Sequence, residues 1–316
     1  MKPLVEFDGE RESSMIHFSR CVLARRKFLR LSVFAIPTLA VFGAPFNTGL
    51  SAEEPHPIRM PFNDLTDEDE IALGDIFAAK LDRQIQIVKN PLIDAYLCDI
   101  VDKLAKASQR PNLPYRCGLV NTKEINAFSI AGGRIYLNRG LVESVTREDQ
   151  LVATLAHEIG HVVGRHSANQ IMLTFRARQA YDLVKNNIPQ HSKLIDELIE
   201  KLGGALALLA LLHYSRQNEF EADKLGFYEM LRADYQPSGF LSLFELFDAL
   251  EKASDGLPIP LLRDHPAAAD RAQAIRQEMT EVNVSKDAAA DSFSFHAFRL
   301  AMNLLPPPSK PEGEEQ

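Results

Sequence analysis

Residues 151–163 read Leu-Val-Ala-Thr-Leu-Ala-His157-Glu158-Ile159-Gly160-His161-Val-Val. Leu151, Val152, Leu155, Ile159, Val162 and Val163 recur at steps of three and four, which predicts an amphipathic helix over about 147–165 with one buried face. Thr146 is the expected N-cap, with Asp149 three residues on in a weak capping box, and Gly164 is the expected stop. His157 and His161 are four residues apart, so they share a helix face and can bind one metal ion, with Glu158 between them in reach of a water at that ion. Two imidazoles and a carboxylate with an open fourth position suit zinc best, one ion per chain. The plainer alternative is a core helix whose histidines only make hydrogen bonds. The spacing, with a glutamate inside it on a well-formed apolar stripe, favours the metal.

A catalytic zinc needs a third protein ligand. His166 comes close to completing the metzincin signature H-E-x-x-H-x-x-G-x-x-H, but that signature needs its third histidine at 167, which is Ser167. On a continuing helix, at about 100° per residue, His166 falls on the face opposite His157, so only a turn at Gly164 would redirect it. Ser215-Arg216-Gln217-Asn218-Glu219-Phe220-Glu221-Ala222-Asp223 offers a better set. Glu219 and Asp223 share a face while Glu221 points away. Glu219 is the expected ligand. Asp223 is then placed to accept the Nδ1 proton of a liganding histidine, His157 first. The competing reading is a solvated acidic face paired with Arg216 or Lys224.

The chain has 316 residues, 46% hydrophobic and 25% charged, with a formal net charge of -8. That composition is globular and large enough for one sizeable domain, and its acidic balance argues against a nucleic-acid partner. Residues 1–52 are expected to be an export signal. Arg25-Arg26-Lys27-Phe28-Leu29 resembles a twin-arginine motif, and the apolar run from Leu31 to Ala44 is too short for a comfortable membrane span. Met15 is an alternative start, Ala52 a candidate cleavage point, and an uncleaved anchor the alternative. Residues 53–65 read as a proline-containing linker. Cys98, in a predicted helix, and Cys117, in the strand after it, are candidates for one disulfide in an oxidising compartment, with two thiols as the alternative.

Apolar periodicity predicts helices over about 67–85 and 91–107, and β-type runs predict strands at Arg116–Val120 and Gly133–Asn138. Residues 167–201 read as a polar, helix-prone insertion. The run Leu202–Leu212 reads as a buried helix, with lipid or partner contact as the alternative, and continues through Glu219 and Asp223 toward Leu231. Helices are also expected at 238–253 and 266–281. The end, from Pro306, is Pro- and Glu-rich and expected to be disordered. The layout is α+β, mostly helical with a small sheet: a catalytic domain over 66–285 and a short C-terminal segment over 286–316.

These blocks resemble the zinc metallopeptidase family that includes the CAAX prenyl protease, HtpX and the periplasmic β-barrel assembly-enhancing protease. The resemblance rests on Glu70-Ile-Ala-Leu-Gly74, Asn126-Ala-Phe128, Gly132-Gly-Arg-Ile135, His157–His161, Ser215-Arg216, Glu219-x-Glu-Ala-Asp223, and Asp264-His265-Pro266 with Arg271. It implies a gluzincin-like fold with Glu219 as third ligand. It also makes His265 a candidate switch that blocks the open metal position, and Arg271 a residue close to the site with a candidate transition-state role. The membrane helices and helical repeats of some members have no evident counterpart here.

The function expected is an exported zinc metalloendopeptidase, periplasmic and with peripheral membrane association as an option, acting on unfolded or misfolded envelope proteins. Glu158 is its general base, and Gly133–Asn138 is an edge strand that pairs with extended substrate. The alternative is a latent protease that mainly binds clients.

Overall fold

The computed structural model describes residues 65–174, 214–254, 259–265, 268–282, 284 and 291–308. The signal segment 1–52, the linker up to residue 64, most of the 167–201 insertion, the run Leu202–Leu212 and the tail from 309 lie outside the described residues. The elements in order are α1 (Asp67–Leu81), α2 (Pro91–Ala107), β1 (Arg116–Val120), β2 (Ala127–Ile130), β3 (Arg134–Asn138), α3 (Arg139–Ser144), α4 (Glu148–Val163), α5 (Arg216–Arg232), α6 (Gly239–Ala253), α7 (Pro260–Asp264), α8 (Ala268–Glu281) and α9 (Phe293–Asn303). Residues 166–174 are also helical. The class is α+β, mostly helical with one small sheet, as the sequence predicts.

Local chemistry sets the ends of these helices. Thr66 and Asp69 form a reciprocal capping box at the start of α1. Asn90 caps α2 through the amides of Leu92 and Ile93, with Pro91 at its first position. α4 begins one residue later than expected and is capped from the other direction. Gln150 reaches back to accept from the amides of Thr146 and Arg147, while Asp149 pairs with Arg147 instead. α5 does not continue from the preceding apolar run. It starts afresh at Ser215, which forms a capping box with Asn218.

The sheet has the order β1-β3-β2, with β1 parallel and β2 antiparallel to β3. Gly132 and Gly133, at φ 74 and 83, make the turn between β2 and β3 in a region that glycine alone enters cheaply. A Cβ at Gly132 would also lie 2.8 Å from the carbonyl oxygen of Glu70, so α1 rides directly on this turn. The sequence expected Gly133–Asn138 to be an edge strand. It is instead the central strand, buried at all five positions of β3, with a neighbour on each side.

α4 is buried along its whole length from Asp149 to Val163, rather than on one face, because α2, α5, α6 and β2 surround it. Its closest neighbour is α5. A Cβ on Gly160 would lie 2.4 Å from the carbonyl oxygen of Ala222, and one on Gly226 would lie 2.8 Å from Ala156. These two glycines let the helix backbones approach closely, which brings side chains from both helices to one point. The fold continues past residue 285. α9 buries Phe295, Phe298 and Met302 in the same core, and Tyr96 stacks on Phe298 at 4.5 Å. Glu148, at the start of α4, accepts from the Tyr96 hydroxyl and from the amide and hydroxyl of Ser292, so α9 is fastened to the metal-helix candidate. Pro306, the expected start of disorder, is held through its carbonyl by Arg139.

Glu229 on α5 is 1% exposed, and neither carboxyl oxygen has a hydrogen-bond partner. Burial pushes its carboxyl well above the usual range, only partly offset by Arg232. The folded chain therefore keeps a proton that the unfolded chain releases above about pH 4.3. Stability accordingly falls as pH rises from that point toward the folded pKa. Glu229→Gln is expected to flatten this slope and to melt higher than wild type at pH 7.5. Coincident melting curves at that pH would refute it.

Candidate metal centre

The cluster begins with the close approach of α4 and α5. His157 and His161 project from α4, with Nε2 atoms 2.9 Å apart. Glu219 comes from the first turn of α5, its carboxylate 3.6 Å from His157 Nε2 and 3.4 Å from His161 Nε2. His265 follows the short helix α7, and its Nδ1 lies 3.1 Å from both Glu219 oxygens and 3.1 Å from His157 Nε2. Donor atoms of these four buried residues all lie within 4.8 Å of one another, close enough to share one metal ion. Glu158 stands beside them. One of its oxygens is 3.9 Å from His265 Nε2, and the other, fully buried, has no hydrogen-bond partner.

A second layer holds the donors. Asp223 Oδ1 accepts from His157 Nδ1 at 2.9 Å, which leaves the lone pair of that ring on Nε2, facing the other donors. Arg271, on α8, donates from Nε and a terminal nitrogen to both Asp223 oxygens at 2.6 and 2.7 Å, and its other terminal nitrogen forms an ion pair with Glu219 at 2.9 Å. The guanidinium also sits 5.0 Å from the centre of the Phe244 ring. Its nitrogens thus lie against Asp223 and against Glu219 of the donor cluster, an arrangement that positions both carboxylates.

Charge explains why a divalent ion fits. Glu158, Glu219 and Asp223 bring three buried carboxyl groups and Arg271 one guanidinium, a formal balance of -2 with neutral imidazoles. Burial works against the charge on Asp223, but Arg271 and His157 hold its carboxyl below the usual range. Burial likewise opposes the charge on Glu219, and His265 and His161 overcome it, holding that carboxyl well below the usual range. Burial and the neighbouring His157 push the His161 imidazole well down, into the neutral form that ligates. Burial would also lower His265, yet Glu219, with help from Glu158, raises it to about 9. In the metal-free chain a protonated His265 supplies part of the positive charge that the cluster lacks. The donor set of three imidazoles and a carboxylate, with that missing charge, fits a divalent metal.

His157, Glu158, His161, Glu219, Asp223, His265 and Arg271 therefore meet in one place. Cys98 and Cys117 do not belong to it. This structure draws no bond between them, and burial, followed by the neighbouring Cys98, pushes the Cys117 thiol well above its ordinary value. His166 is brought to the back of His161, not to the donor cluster. Tyr214, which the sequence reading missed, stacks on His161 with ring centroids 4.1 Å apart. An aromatic directly ahead of the Ser215 cap was the only available signal. No helix among the described residues is long and apolar enough to cross a membrane.

The family model described as Peptidase family M48 matches residues 91–279. The β-barrel assembly-enhancing protease of Yersinia pestis is 25% identical over 246 residues, 75% of this chain and 49% of the relative. The mitochondrial metalloendopeptidase OMA1 of Schizosaccharomyces pombe is 27% identical over 192 residues, 61% of this chain and 55% of the relative. The metalloprotease YcaL of Escherichia coli K12 is 25% identical over 217 residues, 68% of this chain and 82% of the relative. The chain spans about half the length of the first of these relatives.

Proposed function

The chain belongs to peptidase family M48, and on that footing we propose that it is a zinc metalloendopeptidase acting on unfolded or misfolded polypeptides of the cell envelope. The observation that carries this reading is the convergence of His157, His161 and Glu219 beside a Glu158 carboxylate that is buried and has an uncommitted oxygen. A zinc ion held by His157, His161 and Glu219 would polarise both a water molecule and the scissile carbonyl. Glu158 takes the proton of the attacking water and hands it to the departing amine. Asp223 keeps the His157 ring turned with Nε2 inward, and Arg271 keeps Glu219 and Asp223 in place. An extended substrate pairs with a strand edge, a mode that reads backbone more than side chain and so suits unfolded clients. β2 offers the edge, since among the described residues it pairs only with β3.

The export-type segment at residues 1–52 and the likeness to a β-barrel assembly-enhancing protease support a periplasmic location, with peripheral membrane association as an option. Nucleic acid is not a partner in this reading.

His265 favours a regulated form of the activity. Its Nδ1 stands among the donors, and as a fourth ligand to an ion held there it would keep out substrate and water. The resting chain is therefore latent and acts mainly as a client-binding protein until His265 is displaced. Zinc-loaded full-length chain and His265→Ala are compared on casein. Cleavage rising about 10- to 100-fold in His265→Ala supports latency, the size following from the fraction of chains in the open form. Equal, substantial cleavage by both removes the switch but keeps the protease. Casein binding without cleavage by either supports the binder alone.

A further inference from the structure

The turn after α4 does something that the proposed reaction has not used. His166 Nδ1 lies 2.7 Å from His161 Nδ1, the ring nitrogen that faces away from the donor cluster. His166 Nε2 in turn lies 3.4 Å from a carboxylate oxygen of Glu221. Both imidazoles are buried. Two ring nitrogens at this separation must share one proton, with a single donor and a single acceptor. His161 presents Nε2 to the cluster, so its proton belongs on Nδ1 and is donated to the lone pair of His166 Nδ1. The proton of His166 then belongs on Nε2, directed at Glu221. The direction of the whole chain, from His161 through His166 to Glu221, is fixed by the need for a lone pair at His161 Nε2.

The backbone is arranged for this contact. A Cβ on Gly164 would lie 2.4 Å from His166 Nε2, so glycine leaves room for the ring to fold back against α4. Gly164 itself is right-handed; the left-handed residue is Arg165, at φ 60. That conformation is uncommon for a side chain of this size and needs support from its surroundings. Arg165 gains it by donating to Glu70 and to the carbonyl of Leu65. Glu70 is 1% exposed and also binds Arg110, which donates to the carbonyl of Val162 near the end of α4. The paired ions around Glu70 thus hold the turn that delivers His166.

Resting on the M48 metal-site reading, we propose that His166 and Glu221 are positioning residues that fix the tautomer and ring orientation of His161, as Asp223 does for His157. His161 is backed by a neutral imidazole leaning on a carboxylate, and His157 by an ion-paired carboxylate. Each histidine of the metal helix then has a dedicated acceptor behind it.

Zinc affinity, measured by competition with a chelator on the purified full-length chain, tests this without reference to catalysis. His166→Phe fills the space but offers no acceptor, and is expected to bind zinc about 10- to 100-fold more weakly than wild type. His166→Asn returns an acceptor oxygen near the Nδ1 position and is expected to recover part of that loss. A purely packing role would favour Phe over Asn, so the reverse order is the signature of the relay. Should His166→Phe fail to fold, Glu221→Ala removes the far end of the relay at a half-buried position, with a smaller loss of the same sign expected. Zinc binding by His166→Phe, or by Glu221→Ala in its stead, as tight as wild type overturns the relay and leaves the metal site standing. A wild-type chain with no zinc affinity overturns both.

Discussion

Glu158→Gln is expected to lower hydrolysis of an unfolded protein by about 10²- to 10⁴-fold, the usual contribution of a positioned general base. The metal should stay. Glu158 is not among the four residues whose donor atoms converge, and the amide has nearly the same shape as the carboxylate it replaces. What the amide lacks is the ability to take a proton from water. The present side chain is also an expensive one to keep: it is 1% exposed, and one oxygen has no hydrogen-bond partner. Burying a carboxylate with an unsatisfied oxygen costs stability, so the variant is expected to melt at or above the wild-type temperature while it loses turnover. The measurements are metal content, thermal midpoint and casein cleavage in a His265→Ala background, which removes the proposed block. Cleavage within about tenfold of the parent would remove Glu158 from the base role. Loss of metal together with activity would make it a ligand or a scaffold residue instead.

The site was legible where residues act at helical spacing. His157, His161, Glu219 and Asp223 each sit four residues from a partner on the same helix face, and that spacing survives folding unchanged. His265 and Arg271 lie on other elements, so no local pattern ties them to α4; the resemblance to a family supplied them. The sequence puts His166 opposite His157 on a straight helix and leaves a turn at Gly164 as the way to redirect it. The turn at Gly164–Arg165 redirects it, but to the outer nitrogen of His161 rather than the inner one. β2, at four residues, is too short to announce itself, and without it β3 looks like an edge. α9 lies in the short C-terminal segment, where Ser292 with Phe295, Phe298 and Met302 carries a cap and helical spacing. Burial of α4 on every side is a tertiary result. Apolar and small residues around the histidines permit it, but only the glycines at 160 and 226, read together, say which helix comes so close.

Arg271→Ala is expected to destabilise the metal-free chain by about 3–5 kcal/mol, the cost of leaving a buried charge without its partner. That is a large share of the roughly 5–15 kcal/mol that keeps a domain folded. The size follows from how many groups depend on one side chain. Its guanidinium binds both oxygens of Asp223 and one of Glu219, and both carboxylates are almost fully buried. Without it, the formal balance of the cluster moves from -2 to -3, against the same low-dielectric surroundings. Asp223 shows how the loss depends on pH. At present burial opposes its charge, but Arg271 first, and His157 after it, keep the carboxyl below its ordinary range. A depressed folded pKa contributes stability that is present above the unfolded pKa and lost as pH falls through the folded one. With Arg271 gone, burial dominates and the sign reverses: Asp223 favours its protonated form, and acid relieves the strain. The deficit of Arg271→Ala relative to wild type should therefore be largest near pH 7 and shrink toward pH 4, as read by denaturant unfolding in the presence of a chelator. Arg271→Lys keeps the charge but not the fork that spans two carboxylates, so it should recover part of the loss at pH 7 and leave zinc binding weakened. A deficit below about 1 kcal/mol, or one that does not change with pH, would mean that Asp223 and Glu219 find their compensation elsewhere and that Arg271 is not what holds the ligands in place.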